Sequence, residues 1–347
     1  MLICKELNTK NNLNIFGKMK QKINWLLILQ GWAMLWVVIG HSPMTLSKMS
    51  WYEQITYDFA YSFHMPLFMT ISGYLFYMTR LEPRNDDGKR KWLWNTMMQD
   101  KLIRLGIPFI VFTVIAMILK SMFPGDMARP ASISIMTLLQ AILYPGRGPL
   151  GELWFVGVLF WMFALLPFWR WGFRNRNCAF AIFGGLLSVH FFSWKIDLLC
   201  LGAALNYAIW FFGGMVVCKY VAKPEKWGGR FSFIIGTVIY IVSCMFKIRF
   251  IMSASAILAS YGMALILNQY MPKLFSTFRN YTYQIFLMGI FAQIAVKIIV
   301  RRLVIPEYMA FIACIIAGVY FPVIISVIVQ AIDNKWLCLC IGLKKKV

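Results

Sequence analysis

Long apolar runs recur from one end of the chain to the other, and they constrain the fold more than any other feature. Each run approaches the roughly 20 residues that an α-helix needs to cross a bilayer. Of the 347 residues, 60% are hydrophobic, against about 45–50% in soluble domains. Backbone groups in lipid need internal partners, so each run must be a helix or a barrel strand. Runs such as FIIGTVIYIVSCMF lack the period-two alternation of barrel strands, which leaves helices.

Ten candidate spans lie between the charge clusters. We therefore predict an all-α fold, a polytopic transmembrane helical bundle of about ten spans. A single membrane domain would cover residues 23–332, between a tail at 1–22 and a basic tail at 333–347. The first run is too long for a cleavable signal peptide, and Met19 is an alternative start to Met1. The predicted spans are 24–44, 58–79, 105–123, 151–169, 178–194, 198–218, 231–246, 250–268, 281–300 and 308–331.

Lysine and arginine are distributed unevenly between the two sides of this bundle. With the N-terminus inside, the inner segments hold 25 of them and the outer segments hold 9. Because cytoplasmic loops are enriched in both residues, both termini are predicted to be cytoplasmic. The outer cluster of Lys297, Arg301 and Arg302 departs from the rule, so it lies either at the lipid headgroups or against a polar cavity. Contact with anionic lipid accounts for the net charge of +22, and no nucleic-acid partner is expected.

Several kinds of chemistry have no support in the sequence. The eight cysteines form no C-x-x-C pair, so neither a zinc motif nor a redox motif is present. No G-x-S-x-G, Walker or H-E-x-x-H pattern occurs, and no histidine is followed by an aspartate five residues later. We therefore expect no metal site, no covalent serine mechanism and no bound cofactor.

The three histidines are the main candidates for chemistry, because ionisable residues at membrane depth are costly. His41 ends the first span and His64 lies early in the second, two residues before Pro66. Either could serve as a general base, or could be a helix-end or packing histidine. A short loop joins the two spans, so both histidines are predicted to lie at the same end of antiparallel neighbours. His190 has no polar neighbours in sequence, and we interpret it as structural.

Other polar residues in or near the spans are weaker candidates. Glu152 adjoins Trp154, Gln30 lies in the first span, and Ser72 lies in the second. Arg104, before Pro108, is either a phosphate-binding arginine or a positive-inside anchor.

Four stretches, in order, resemble the acyltransferase-3 family of bacterial membrane proteins. They are GWAMLWVVIGHS at 31–42, FHMPLFMTISGYLF at 63–76, KLIRLGIPF at 101–109 and ELWFVGVLF at 152–160. Most members are O-acetyltransferases of surface polysaccharides, and the chain is most similar to the fucose 4-O-acetylase-like branch. The resemblance implies a protein of the bacterial cytoplasmic (inner) membrane, in contact with membrane lipid. It also implies an acyl-CoA donor, with acetyl-CoA as co-substrate, and a carbohydrate acceptor.

The resemblance also suggests roles for residues of this chain. It implies that His41 is the essential histidine, acting as general base, and it brings His64 close to the same catalytic site. We assign the remaining candidates to two sets. The substrate-binding set is Gln30, Ser42, Ser72, Glu152 and Trp154, and the acyl-CoA-binding set is Lys101 and Arg104.

One position departs from the family pattern. The family has a basic residue eleven positions before the essential histidine, and this chain has Gln30 there. Eleven residues make about three helical turns and roughly 16 Å, so Gln30 and His41 share a helix face at different depths. This departure leaves a catalytically inactive family member as one alternative to the acyltransferase. A carrier or flippase for a lipid-linked sugar is another, because ten helices, a basic inner face and buried polar residues also fit it.

Overall fold

The structure, a computed structural model, is helical along most of the described chain. It describes residues 24–45, 48–81, 94–123, 131–192, 194–221, 228–303 and 305–343, and no strand occurs among them. The predicted all-α class is confirmed. The predicted N-terminal tail, the central part of the basic loop after the second span and the last four residues lie outside the described chain.

Fourteen α-helices are present in the described chain. Short π-helical or 3-10 segments adjoin several of them, at Tyr77–Leu81, Leu102–Gly106, Pro145–Arg147, Gly151–Leu153, Leu198–Cys200 and Arg279–Tyr281. The α-helices are α1 Asn24–Gly40, α2 Trp51–Phe76, α3 Trp94–Lys101, α4 Ile107–Met122, α5 Ile135–Leu143, α6 Trp154–Ala164, α7 Leu166–Gly172, α8 Arg176–Phe191, α9 Leu201–Tyr220, α10 Gly229–Met245, α11 Arg249–Tyr270, α12 Thr282–Leu303, α13 Glu307–Ile332 and α14 Lys335–Cys340.

Local capping explains where several helices begin. The Ser134 side chain accepts a hydrogen bond from the N–H of Thr137 at the start of α5, and Asn175 accepts one from Cys178 at the start of α8. These oxygens satisfy N–H groups that the first helical turn leaves without partners. Helices α4 and α7 instead carry a proline in the first turn, where no N–H is required.

Five helical stretches in the described chain are long and apolar enough to cross a membrane. Helices α6 and α7, bent by 55°, make a sixth if the bent pair is one span. Helices α1 and α10 are apolar but have only 17 residues each. The 26-residue α2 falls short in hydropathy, because serine, threonine, histidine, proline and tyrosine interrupt its apolar residues. The count of ten spans and the cytoplasmic termini stay predictions.

Some helical residues lie outside the predicted spans. Helix α2 begins at Trp51 rather than at residue 58, and α5 lies within the predicted outer loop 124–150. A search for runs of membrane-spanning length passes over a nine-residue helix such as α5. It also misses a helix start that is built from polar residues.

Two compact units make up the described chain. Unit 1 holds the residues up to Leu75 together with Val217–Val323, and unit 2 holds Phe76–Val216 together with Ile324 onward. In unit 1, α1 packs against α11 and α12, and its buried Leu26 and Ile28 share a core with α2 and α11. The division into one membrane domain and two tails stays a prediction.

Helices α10 and α11 of unit 1 approach each other closely at glycines. A Cβ atom on Gly236 would lie 2.4 Å from the backbone nitrogen of Ala259. A Cβ atom on Gly262 would lie 2.3 Å from the nitrogen of Phe233. Only glycine permits this approach, which is how small residues bring membrane helices together.

Pro66 interrupts the hydrogen bonding of α2. Because proline has no N–H, the Ser62 carbonyl loses its usual partner four residues later. The Ser253 hydroxyl of α11 donates to this carbonyl at 2.6 Å. The Ser62 hydroxyl lies 3.1 Å from that of Tyr240. The proline therefore frees a carbonyl within α2, and a neighbouring helix satisfies it.

Unit 2 is built around aromatic side chains. The buried Trp169 ring lies 6.1 Å from that of Phe211 and 5.5 Å from that of Phe212, measured between centroids. Phe76 stacks on Phe163 at 5.6 Å. Such pairs add about 0.5–1.5 kcal/mol beyond the burial of their area, so they stabilise this core.

Candidate functional site

Helix α1 ends one residue before His41 because of the sequence that follows. Pro43 lacks an N–H, and the residue before a proline is disfavoured in the helical conformation. The chain therefore tightens into a turn. The N–H of His41 bonds to the Val38 carbonyl at 3.2 Å, and the N–H of Ser42 bonds to the Ile39 carbonyl at 3.0 Å.

The structure places His41 and His64 against the same aromatic ring. Tyr61 contacts the His41 imidazole edge-on, with centroids 6.0 Å apart, and the His64 imidazole at 5.0 Å. Tyr57 stacks on Tyr61 at 4.2 Å. Gly40 makes room for this cluster, since a Cβ atom there would lie 3.2 Å from the Tyr61 ring. The two histidines therefore lie close together, as the short loop between their helices predicts. The predicted shared helix end is wrong for His64, which lies in the middle of α2 because that helix begins at Trp51.

Sequence reasoning missed Tyr61, although a signal was present. Tyr57, Tyr61 and His64 are spaced by four and three residues, which places them on one face of a helix. Tyr61 is 44% exposed, whereas His64 is buried. The cluster therefore has an open aromatic side next to a buried imidazole.

His64 is held by its own helix. Its Nδ1 lies 2.5 Å from the Ala60 carbonyl, one turn earlier, and a carbonyl can only accept a hydrogen bond. Nδ1 therefore carries the proton. In the neutral ring the Nε2 atom is then left as the acceptor. This tautomer suits a ring that receives a proton at Nε2.

Glu53 organises the loop between the two histidine-bearing helices. It is buried, with 1% of its surface exposed. Its carboxylate accepts hydrogen bonds from the backbone N–H and the hydroxyl of Ser50, at 2.9 and 3.0 Å, and from the N–H of Met44, at 3.2 Å. The sequence Ser50-x-x-Glu53 has the pattern of a helix capping box. The same carboxylate thus caps α2 and fixes the chain just after His41.

Two residues of α12 hold the carbonyl end of α1, and sequence reasoning missed the function of both. The buried Gln293 side chain donates to the Val38 carbonyl at 2.8 Å and to the Ser42 hydroxyl at 3.0 Å. The Lys297 ammonium donates to the His41 carbonyl at 2.9 Å. Lys297 is partly buried, whereas the side chains of Arg301 and Arg302 are exposed. The two positions left open for the outer basic cluster, lipid headgroups or a polar cavity, stay predictions.

The other candidates of unit 1 have different surroundings. Ser42 is fully buried, and its hydroxyl donates to the Val38 carbonyl at 2.8 Å, so this geometry favours a structural contact. Gln30 and Ser72 are partly buried in α1 and α2. The substrate-binding assignments of all three residues stay predictions.

Unit 2 contains Glu152 and Trp154. Glu152 lies in the 3-10 turn before α6, and the Trp154 ring lies 5.3 Å from that of Tyr207. Trp154 lines a cavity of about 220 Å³ whose polar wall includes Arg147 and Asp197. These two residues form an exposed ion pair. The sequence assignments bring only Trp154 to this cavity, and the assigned roles of both candidates stay predictions.

The two proposed acyl-CoA contacts also lie in unit 2. Lys101 ends α3, and its ammonium lies over the Phe163 ring, 4.0 Å from the centroid. Arg104 is partly buried in the π-helical segment that joins α3 to α4. Both follow in sequence the residues 82–93, which lie outside the described chain.

The remaining histidine fits the structural interpretation. His190 Nδ1 lies 2.7 Å from the Asn206 carbonyl, and its ring packs edge-on against Trp210. In the described part of the chain, no three His, Cys, Asp or Glu side chains converge into a set that could hold a metal ion.

The comparisons with known proteins agree with the four sequence stretches. The model of the acyltransferase-3 family, described as an acyltransferase domain, matches residues 23–327. No curated protein and no solved structure matches the chain. The family match extends from the start of α1 into α13 and includes every candidate residue described above. The chain therefore belongs to the acyltransferase-3 family and is an integral membrane acyltransferase.

Proposed function

We propose that the protein transfers an acetyl group from acetyl-CoA to a hydroxyl group of a cell-surface or exported carbohydrate, with His41 as the general base. The bacterial cytoplasmic (inner) membrane is the proposed location, and the fucose 4-O-acetylase-like branch is the proposed place within the family. Family membership supports acyl transfer itself. The chemistry of the donor and the acceptor is our extension of it.

One observation carries the proposal. His41 lies at the end of an apolar helix, where α12 holds its carbonyl and its imidazole faces Tyr61. Histidine is the usual general base near neutral pH. The anchoring contact of His41 is made by its backbone carbonyl. Its ring can therefore gain and lose a proton without breaking that contact.

The reaction needs one proton acceptor and one leaving group. The carbohydrate oxygen attacks the thioester carbonyl carbon while the imidazole takes its proton, and a tetrahedral oxyanion forms. When this intermediate collapses, the C–S bond breaks and the acetyl group stays on the carbohydrate oxygen. The CoA sulfur takes the proton back from the imidazolium and leaves as the thiol. Lys101 and Arg104 are the proposed contacts for the CoA phosphates, which are anions that such side chains bind well.

Purified protein in detergent tests the proposal with radiolabelled acetyl-CoA and a membrane glycan extract. We expect label transfer by the wild type and a loss of about 10²–10⁴-fold in His41→Gln, the usual contribution of a general base. His190→Gln is the matched control, because it replaces the same residue type outside the proposed site, and it should keep wild-type transfer.

Other outcomes would favour the alternatives. A wild type that consumes no acetyl-CoA but moves a lipid-linked sugar would be a carrier. A wild type that does neither, and that gains transfer in Gln30→Arg, would be a family member inactivated at the position where the family has a basic residue. Transfer that survives in His41→Gln would remove His41 from the chemistry while leaving the acyltransferase in place.

A further inference from the structure

We propose that Gln293 and Lys297 are positioning residues that set the place of His41 by holding the carbonyl end of α1. This inference rests on the proposed role of His41 as general base. Neither residue belongs to the four stretches that resemble the family, and both lie more than 250 positions after the helix they contact.

The end of α1 receives more donors than its own turn supplies. The last four carbonyls of a helix have no partner within it, and Pro43 removes one N–H that could reach back. Within the turn, the Val38 carbonyl accepts from the His41 N–H at 3.2 Å and from the Ser42 hydroxyl at 2.8 Å. The amide of Gln293 adds a donor from α12 to the same carbonyl, at 2.8 Å.

The positive charge of Lys297 gives a second reason for this assignment. A lysine at membrane depth is costly unless it is paired, and such residues often bond backbone carbonyls. The Lys297 ammonium donates to the His41 carbonyl at 2.9 Å. It also places a cation at the negative end of the dipole of α1, where positive charge is favourable. This contact accounts for a lysine that breaks the charge rule of the topology.

The packing around the Gln293 side chain gives a third reason. Gln293 is 1% exposed, and Gly318 of α13 lies against it. A Cβ atom on Gly318 would lie 3.1 Å from the Gln293 amide nitrogen and 2.8 Å from Val38 Cγ1. The amide is therefore enclosed between α1 and α13. Because both its bonds go to the residues around His41, displacing it would displace the imidazole.

The test compares Lys297→Met with Lys297→Arg and with Arg301→Met in the acetyl transfer assay. Methionine keeps most of the length of lysine but cannot donate, whereas arginine can. We expect kcat to fall about 10- to 100-fold in Lys297→Met, since a misplacement of about 1 Å can cost 100-fold. The KM for acetyl-CoA should stay within about two-fold of the wild type. Lys297→Arg should recover most of kcat. Arg301→Met removes the same charge from an exposed position one helical turn after Lys297. It should leave kcat unchanged.

A second readout keeps the inference separate from the proposed function. Hydrogen exchange of the amides between residues 38 and 45 should become faster in Lys297→Met and in Gln293→Leu, with or without turnover. If the wild type shows no turnover but both variants show this faster exchange, the proposed function is overturned and the anchor stands. The anchor is overturned if Lys297→Met keeps the wild-type kcat, or if exchange at 38–45 stays unchanged in both variants. Loss of kcat in Arg301→Met equal to that in Lys297→Met would also overturn it.

Discussion

The two ends of α1 are both held by a basic residue from the α12 region, but in different ways. At the start, Arg279 donates to the side-chain oxygen of Asn24 at 2.9 Å, and Asn24 donates to the side chain of Asn268 at 2.7 Å. At the other end, Lys297 donates to the backbone carbonyl of His41 at 2.9 Å. One end is held through a side chain and the other through the main chain.

With His41 as the proposed general base, this difference separates a structural end from a functional one. At the Asn24 end, replacing the residue removes the anchor itself. At the His41 end, the residue can be replaced while its carbonyl still meets Lys297. A proton-transferring imidazole benefits from this arrangement, because its position is fixed by groups that do not take part in the chemistry. Substitutions at the two ends and in the middle of α1 test this difference.

Gly318→Ala should have the largest effect on stability, because it crowds the His41 end. The new Cβ atom would lie 2.8 Å from Val38 Cγ1, and overpacking of this kind costs about 1–3 kcal/mol. We expect a lower unfolding temperature together with a lower kcat. Gly184→Ala in α8 is the matched control, because no atom lies within 4 Å of its Cβ position. A Gly318→Ala protein with wild-type stability and kcat would mean that this end of α1 yields easily.

Asn24→Ala should come next, with an effect on stability and not on catalysis. The change leaves Arg279 and Asn268 without a shared partner, which costs about 1–2 kcal/mol for partly exposed groups. Thermal unfolding should shift downward while kcat per folded molecule stays at the wild-type value. A selective loss of kcat would contradict the separation of a structural end from a functional end.

Ser260→Ala should have the smallest effect. This α11 residue contacts the middle of α1. The Trp32 indole N–H donates to the Ser260 hydroxyl at 3.1 Å, and hydrogen bonds between membrane helices contribute about 0.6 kcal/mol on average. We expect a small shift in thermal unfolding and unchanged transfer. A shift as large as that of Asn24→Ala would show that α1 is held as firmly along its length as at its start.

The sequence predicted much of the site around the two histidines, because its signals are local. His41 and His64 stand out as rare ionisable residues in apolar runs, and the short loop between the runs predicts their proximity. The capping pattern from Ser50 to Glu53 is equally local, although reading for long apolar runs passed over it. Tyr61 follows from helical spacing once α2 is extended to its observed start.

The partners of the His41 end have no such local signal. Gln293 and Lys297 lie on a helix that is distant in sequence, and only the departure of Lys297 from the charge rule marked it as unusual. Periodicity cannot show which face of one apolar helix meets which face of another. The roles of Gln30, Ser72, Glu152 and Arg104 stay predictions for the same reason, since each depends on surroundings that a local pattern does not specify.

The sequence by itself determined that this protein is helical, that it belongs in a membrane and that two rare histidines lie on neighbouring helices joined by a short loop. These properties depend on hydropathy, on backbone hydrogen bonding in lipid and on short connections, all of which act over a few tens of residues. Only the tertiary structure decided which side chains complete the end of α1. A carbonyl at the end of a helix can accept any suitable donor, so the packing of α12 and α13 against α1 selects Gln293 and Lys297 for this role.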